Sequence, residues 1–237
     1  MAENGTGYAD RLLGADEMRD VVDRAFSEWA PAGKRLLFLV PDHTRSCPLD
    51  QLFRAVYDRV ASDAASVDFL IALGTHPPMS EDAIMERFGL TVEEWKSSYA
   101  KARFFNHAWD DPEQLTEVGH LTREDIREIS EGRFELDIAV TCNRMIHDYD
   151  ELIILGPVFP HEVVGFSGGN KYIFPGISGP EILNFFHWLG AVITNPRIIG
   201  NKWTPVRKTV DRAASLLPIT RRALCMVVKG EDLAGLY

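Results

Sequence analysis

Apolar positions along the 237-residue chain follow two periods. Over residues 8–30, Met18, Val21, Val22, Ala25, Phe26 and Trp29 recur at helical spacing and predict one amphipathic helix, ended by Pro31-Ala32-Gly33. Arg35 to Val40 is instead a short continuous apolar run stopped by Pro41, the pattern of a strand covered on both faces. Leu52, Phe53, Val56 and Val60 return to the helical stripe, and Val67 to Leu73 reads as a second buried strand. Ser80 is placed to cap a helix that runs to Phe88 and stops at Gly89. Thr91-Val92-Glu93-Glu94 fits a capping box, in which the Thr side chain accepts from the third amide while Glu94 reaches back. Further strands are predicted at about 103–108, 136–142 and 151–155, a helix opening at Thr204-Pro205, and a last strand from Leu224 to Val228. Strands alternating with helices predict an α/β fold: an open, mostly parallel, Rossmann-like sheet flanked by helices, in one large domain over residues 1–237. The tail, Lys229 to Tyr237, shows no pattern that closes an element, and reads either as a break in something longer or as a frayed natural terminus.

Open α/β sheets bind ligands at the carboxyl ends of their strands, so the residues after each strand carry the candidate chemistry. After the first strand comes Asp42-His43-Thr44-Arg45-Ser46-Cys47-Pro48. Arg45 could hold a carboxylate or phosphate bidentately, and Asp42 could orient it or a neighbouring imidazole; the plainer reading is a capped turn with a surface ion pair. After the second strand, Gly74-Thr75-His76-Pro77-Pro78 pins an imidazole whose titration range suits proton transfer. The richest segment is His161 to Gly179, directly after the run Glu151 to Leu155. There Ser167-Gly168-Gly169 can turn amides toward an anion such as phosphate, with a helix start adding its dipole. It matches neither the P-loop nor the dinucleotide fingerprint. Lys171 could be a phosphate point charge or, if desolvated, a nucleophile. His187 sits among aromatics in Asn184-Phe185-Phe186-His187-Trp188, where a core role competes with a functional one, and His43, His107, His120 and His147 have no spacing that commends them as ligands.

Composition narrows the classes. Lys and Arg number 25 against 35 Asp and Glu, a net charge of −10, so nothing spread over the surface attracts a phosphate backbone and a nucleic-acid partner is not expected. No apolar stretch reaches the roughly 18–20 residues that span a bilayer, and Met1-Ala2-Glu3-Asn4-Gly5 lacks the pattern of a signal peptide. A cytoplasmic protein with no membrane partner is expected. Cys47, Cys142 and Cys225 are too far apart in sequence for a disulfide framework or a zinc knuckle, and read as small buried apolar residues, Cys47 in its polar turn being the exception.

Taken together, Asp42-His43-Thr44-Arg45, Gly74-Thr75-His76, His161 ten residues before Lys171 in Gly165-Phe166-Ser167-Gly168-Gly169-Asn170-Lys171, Pro175-Gly176-Ile177, and His187 sixteen residues after that lysine resemble the N-terminal domain of the nickel-dependent lactate racemases and related 2-hydroxyacid racemases and epimerases. The resemblance runs from about residue 35 to the end. It implies a nickel pincer nucleotide, whose thioacid arm is joined to a lysine and whose nickel is held by a carbon, two sulfurs and a histidine. On this sequence Lys171 would be the attachment site, His187 the nickel ligand, His76 and His161 the acid/base pair, Arg45 and Asp42 the groups that place substrate or cofactor anion, and Ser167, Gly168 and Gly169 the phosphate cradle. It further implies a small 2-hydroxyacid substrate, cofactor-assembly enzymes as partners, and a C-terminal domain beyond this chain, without which the active site would be incomplete and the isolated chain inactive. Asn170 stands where lactate racemases carry a basic residue, and the surroundings of His187 are more aromatic, which points to a substrate other than lactate. Two rival readings stay open: a pyridoxal-phosphate enzyme using Lys171, and a non-catalytic anion-binding module.

Overall fold

The structure is a computed structural model that describes residues 5–237, so most of the stretch Met1 to Gly5 lies outside the described residues. Eight helices are described: α1 (Ala15–Trp29), α2 (Leu49–Val60), α3 (Glu81–Arg87), α4 (Val92–Lys96), α5 (Arg123–Ile129), α6 (Pro180–Ile193), α7 (Asn195–Ile198) and α8 (Pro205–Ala214). The strands are β1 (Thr6–Gly7), β2 (Arg35–Val40), β3 (Ser66–Ile71), β4 (Ala102–Asn106), β5 (Leu115–Leu121), β6 (Ile138–Asn143), β7 (Glu151–Pro157), β8 (Pro160–His161), β9 (Gly165–Phe166), β10 (Thr220–Lys229) and β11 (Asp232–Leu236).

A seven-stranded sheet in the order β1-β11-β10-β7-β2-β3-β4 forms the centre. Its five strands from β10 to β4 are parallel, and β11 and β1 add an antiparallel edge. The continuous apolar run of β2 is explained by burial on both sides. Leu36, Phe38 and Val40 face a core shared with α1, α2 and α3, whereas Leu37 and Leu39 face a second core shared with α5, α6 and α8. In the first core Phe38 stacks on Phe69 at 5.0 Å and meets Phe26 of α1 at 6.3 Å. The chain leaves β2 outward through β3 and β4, then returns to the other side of β2 with β7 and β10. The strand order therefore reverses between β2 and β7, the point where open sheets form a ligand crevice.

Several predicted elements differ from those observed. The first helix begins at Ala15 rather than residue 8, because the Glu17 side chain accepts from the Gly14 amide and fixes the start there. Strand β6 does not join the main sheet; it pairs antiparallel with β5 in a separate ribbon under α6. The tail, expected to close nothing, is a strand: Gly230, at φ 66°, turns the chain, and β11 pairs with both β10 and β1. The expected caps are present, with Ser80 accepting from the Ala83 amide, Thr91 and Glu94 forming both bonds of the box, and Thr204 accepting from the Arg207 amide. Among the described residues no helix is long and apolar enough to cross a membrane. Cys47 and Cys142 are buried and Cys225 half-buried, all three free; burial pushes the Cys47 thiol up, so the exception proposed for it disappears.

Candidate functional site

One open pocket, with about 170 Å³ of room for water-sized molecules, lies at the reversal between β2 and β7, and nearly every residue singled out by sequence lines it. Asp42 and Arg45 come from the turn after β2, His76 from the turn after β3, His161 from β8, Ser167, Gly168 and Lys171 from the segment after β7, and His187 from α6. Gly169 flanks this wall in the single 3₁₀ turn Gly169–Tyr172.

The turn after β2 is held by Asp42. Its Oδ1 accepts from the Thr44 amide at 3.1 Å and the Thr44 hydroxyl at 2.6 Å, and its Oδ2 accepts from His76 Nδ1 at 2.6 Å. Burial works to raise the Asp42 pKa, but the bonds from Thr44 and His76 outweigh it and hold the carboxyl below its ordinary value. The Asp42 carboxylate is thus committed to protein groups, so the expectation that it would contact a substrate or cofactor anion gives way to the other role considered for it, orienting an imidazole. With Nδ1–H donated to Asp42, His76 keeps a bare Nε2. Arg45 has no carboxylate partner among the described residues. Arg87 of α3 supports this turn from behind, donating to the Arg45 carbonyl at 2.8 Å and approaching Cys47 Sγ at 3.0 Å. No sequence signal marks that role.

His161 is in the opposite state. The Val163 amide donates to its Nδ1 at 3.0 Å, which assigns the proton of the neutral ring to Nε2. Burial, the Lys171 ammonium, Arg45 and His187 push its pKa down to about 4, against the Glu162 carboxylate. Lys171 is half-buried and, among the described residues, no carboxylate lies within ion-pair distance of its amine. Burial and the neighbouring Arg45 and Arg207 lower it to about 8, which Glu162 and Asp42 oppose, leaving a substantial neutral fraction near pH 8. A lowered amine pKa in a pocket is the usual preparation of a lysine nucleophile. On α6, His187 donates Nδ1–H to the Leu183 carbonyl at 2.9 Å, so its Nε2 is bare, and burial pushes its pKa down. A ring nitrogen anchored to a carbonyl with the other free is the arrangement of a metal-ligating histidine.

Part of the expected cradle is already spent on the protein itself. The Ser167 amide donates to the Phe159 carbonyl at 2.8 Å, and its hydroxyl donates to the Pro157 carbonyl at 2.9 Å and accepts from the Phe159 amide. Gly168 and Gly169 do adopt positive φ, 83° and 55°, but they use it to pass Val158 and enter a single turn, too short for a helix dipole.

A strap from Ile173 to Gly179 closes the pocket floor. Gly176 joins two walls: its carbonyl accepts from the Gly74 amide at 2.9 Å, and its amide donates to the Lys171 carbonyl at 3.3 Å. A Cβ there would overlap the Tyr172 backbone. Behind the strap, His107 is buried, donating from Nε2 to the Ser178 carbonyl at 3.0 Å and accepting at Nδ1 from Asn143 at 3.2 Å. Its role is structural, and the strand-end position after β4 was its only sequence clue.

The fold and pocket define an α/β protein that presents a primed lysine and three differently poised histidines at the switch point of a parallel sheet. Residues 18–198 match the family described as the lactate racemase N-terminal domain, and the chain belongs to that family. It is 27% identical over 188 residues to the lactate racemase of Thermoanaerobacterium thermosaccharolyticum, covering 75% of this chain and 39% of that protein, so it spans about two-fifths of the length of that relative. A crystal structure of a Thermotoga maritima protein superposes with a TM-score of 0.84 at 27% identity, over 95% of this chain and 54% of that one. The lactate racemase apoprotein of T. thermosaccharolyticum shares the fold, with a TM-score of 0.66 at 21% identity over 92% and 51%.

Proposed function

We propose that this chain carries the acid/base and cofactor-bearing residues of a racemase or epimerase acting on a small 2-hydroxycarboxylic acid. The observation that carries the reading is a single pocket lined by His76, His161, Lys171, His187 and Arg45, brought together from the ends of three strands and one helix. The residues fit a lysine-tethered nickel pincer nucleotide: Lys171 has a depressed amine pKa, and His187 offers a bare Nε2. Among the described residues no three His, Cys, Asp or Glu side chains gather around a metal, so a metal at His187 would take its other donors from a bound organic group. The engaged amide and hydroxyl of Ser167 weigh against both a phosphate cradle at that turn and the pyridoxal-phosphate alternative that relied on it. When bound, the nucleotide supplies a reversible acceptor for the hydride on C2.

The chain's own residues supply the rest. Arg45, which has no carboxylate partner among the described residues, pairs with the substrate carboxylate. Inverting C2 requires the carbon to become planar and to be approached from either face, so the hydroxyl proton needs a base for each direction. The bare Nε2 of His76 takes that proton, while His161, a neutral ring, donates a hydrogen bond from Nε2–H to the substrate oxygen; His161 takes the proton in the other direction only once its ring has turned so that the Nδ1 lone pair leaves the Val163 amide and meets the substrate. Asp42 fixes the His76 tautomer and steadies the imidazolium once it forms.

The test uses the full-length protein co-produced with cofactor-assembly enzymes. Intact mass should show an adduct on Lys171, metal analysis should show nickel, and chiral chromatography should show racemisation within a panel of aliphatic, aromatic, dicarboxylic and sugar-derived 2-hydroxyacids. An unmodified Lys171 together with no racemisation across the panel sinks the reading.

A further inference from the structure

Two carboxylates line the pocket, and they are in different states. Asp42 is 4% exposed and spent on Thr44 and His76. Glu162, just after β8, has a side chain 61% exposed and makes no hydrogen bond to another residue among those described. Its nearest ionisable neighbour is His161 Nδ1 at 3.6 Å, a nitrogen whose lone pair already accepts from the Val163 amide. Burial tends to raise the Glu162 pKa, but its own amide, His161, Lys171 and Arg45 together hold it below the ordinary value, so the carboxylate is ionised when a ligand arrives. Of the two carboxylates that line the pocket, Glu162 is thus the uncommitted one, and it is near enough to the Arg45 guanidinium and the Lys171 amine to feel both charges.

This has a chemical consequence for the ligand. Arg45 takes one carboxylate, and Lys171 is consumed if a cofactor is tethered to it. A second carboxylate on the substrate then meets Glu162 with no cation left to offset it. A hydroxyl on the same carbon chain instead finds a charged acceptor, the stronger kind of hydrogen-bond partner. We infer that Glu162 determines specificity: it accepts a hydroxyl hydrogen from the substrate's carbon chain and repels a second carboxylate, so the site takes hydroxylated 2-hydroxymonocarboxylates of the sugar-acid type and turns away 2-hydroxydicarboxylates. The inference rests on the 2-hydroxyacid reading above.

The experiment compares lactate, glycerate and malate. Full-length, cofactor-loaded protein gives kcat/KM for each, and the same acids are titrated into unloaded protein with the histidine Cε1–H resonances as readout. Glycerate should be favoured over lactate by about tenfold, as a hydrogen bond to a charged group provides, and over malate by on the order of a hundredfold once like-charge repulsion is added. Glu162→Gln should bring malate to within about threefold of lactate, and Glu162→Lys should place malate ahead, a reversal that simple loss of packing cannot produce. Because Glu162 is exposed, an unchanged melting temperature in both variants is expected. A malate value equal to that of glycerate in the unsubstituted protein, or a gap that Glu162→Gln leaves in place, overturns the specificity inference and leaves the 2-hydroxyacid reading standing. Failure of all three acids to bind or turn over overturns the inference, and the 2-hydroxyacid reading falls with it when the wider panel fails as well.

Discussion

His76 and His161 are the same residue type in the same pocket, and what separates them is the partner of Nδ1. A carboxylate accepts from one and an amide donates to the other, so one ring offers a lone pair and the other a proton. Asp42→Asn should weaken this division, because an amide group can donate to His76 Nδ1 and leave the proton on Nε2. The expected result is a fall in kcat of roughly 10²–10⁴-fold with a small change in KM, comparable to His76→Ala or His161→Ala. A second prediction concerns charge. The Lys171 ammonium helps to hold His161 near pKa 4, so Lys171→Met should raise the His161 pKa in unloaded protein. Burial remains, so it should stay below the ordinary value of about 6.5; proton NMR titration of the ring reads both. The positions of these side chains were legible in sequence from the strand-end rule and from motif spacing. Their hydrogen-bonded states were not, since the Val163 amide and the spent Asp42 carboxylate are products of turn geometry rather than of residue type.

Among elements, those with strong local signals were legible and those completed by distant partners were not. Ser80, Thr91 and Thr204 cap the helices they were expected to cap because the bond lies within three residues. Thr204 is buried, and Thr204→Ala should cost about 1–2 kcal/mol, read as a lower denaturant midpoint with an unchanged slope. The strands of the parallel sheet showed themselves as apolar runs, because both faces are covered. In contrast, β5 carries Glu117 and His120 on exposed positions and has no clean alternation, so its pairing with β6 could not be seen. The tail strand β11 contains Gly235, chosen by close approach to Gly7 of β1 rather than by strand propensity. Gly165 illustrates the same point beside the site. Its φ is 89° and a Cβ would overlap the Asn201 carbonyl, so Gly165→Ala should loosen the hairpin that carries His161 and lower stability by a few kcal/mol, on the order of 2–4.

At the scale of the whole molecule, the buried His107 links pH to stability. Burial holds its pKa near 4, against the Ser178 carbonyl, whereas the unfolded chain titrates near 6.5. Above that value both states are neutral and stability is flat. As pH falls from about 6.5 to about 4 the unfolded state binds a proton that the folded state refuses, and stability should decline by on the order of 3 kcal/mol. Thermal melts over that range should show the decline, and His107→Gln should make it shallower, leaving the share that the similarly depressed His161 and His187 contribute, while lowering stability at neutral pH. The fold class and the gathering of the site were readable because an open parallel sheet always concentrates its loops at one edge. The antiparallel additions at the margins obey no such rule.

Gly176 ties the lysine turn to the turn that bears His76 through its two peptide groups, which makes the strap a mechanical clasp rather than a spacer. The two walls then cannot drift apart independently, and strain introduced at the amine should be felt across the cleft. The Gly74 amide becomes a natural gauge of that stiffness. Its solvent-exchange rate should change whenever Lys171 is derivatised, although nothing attached to the lysine needs to touch it.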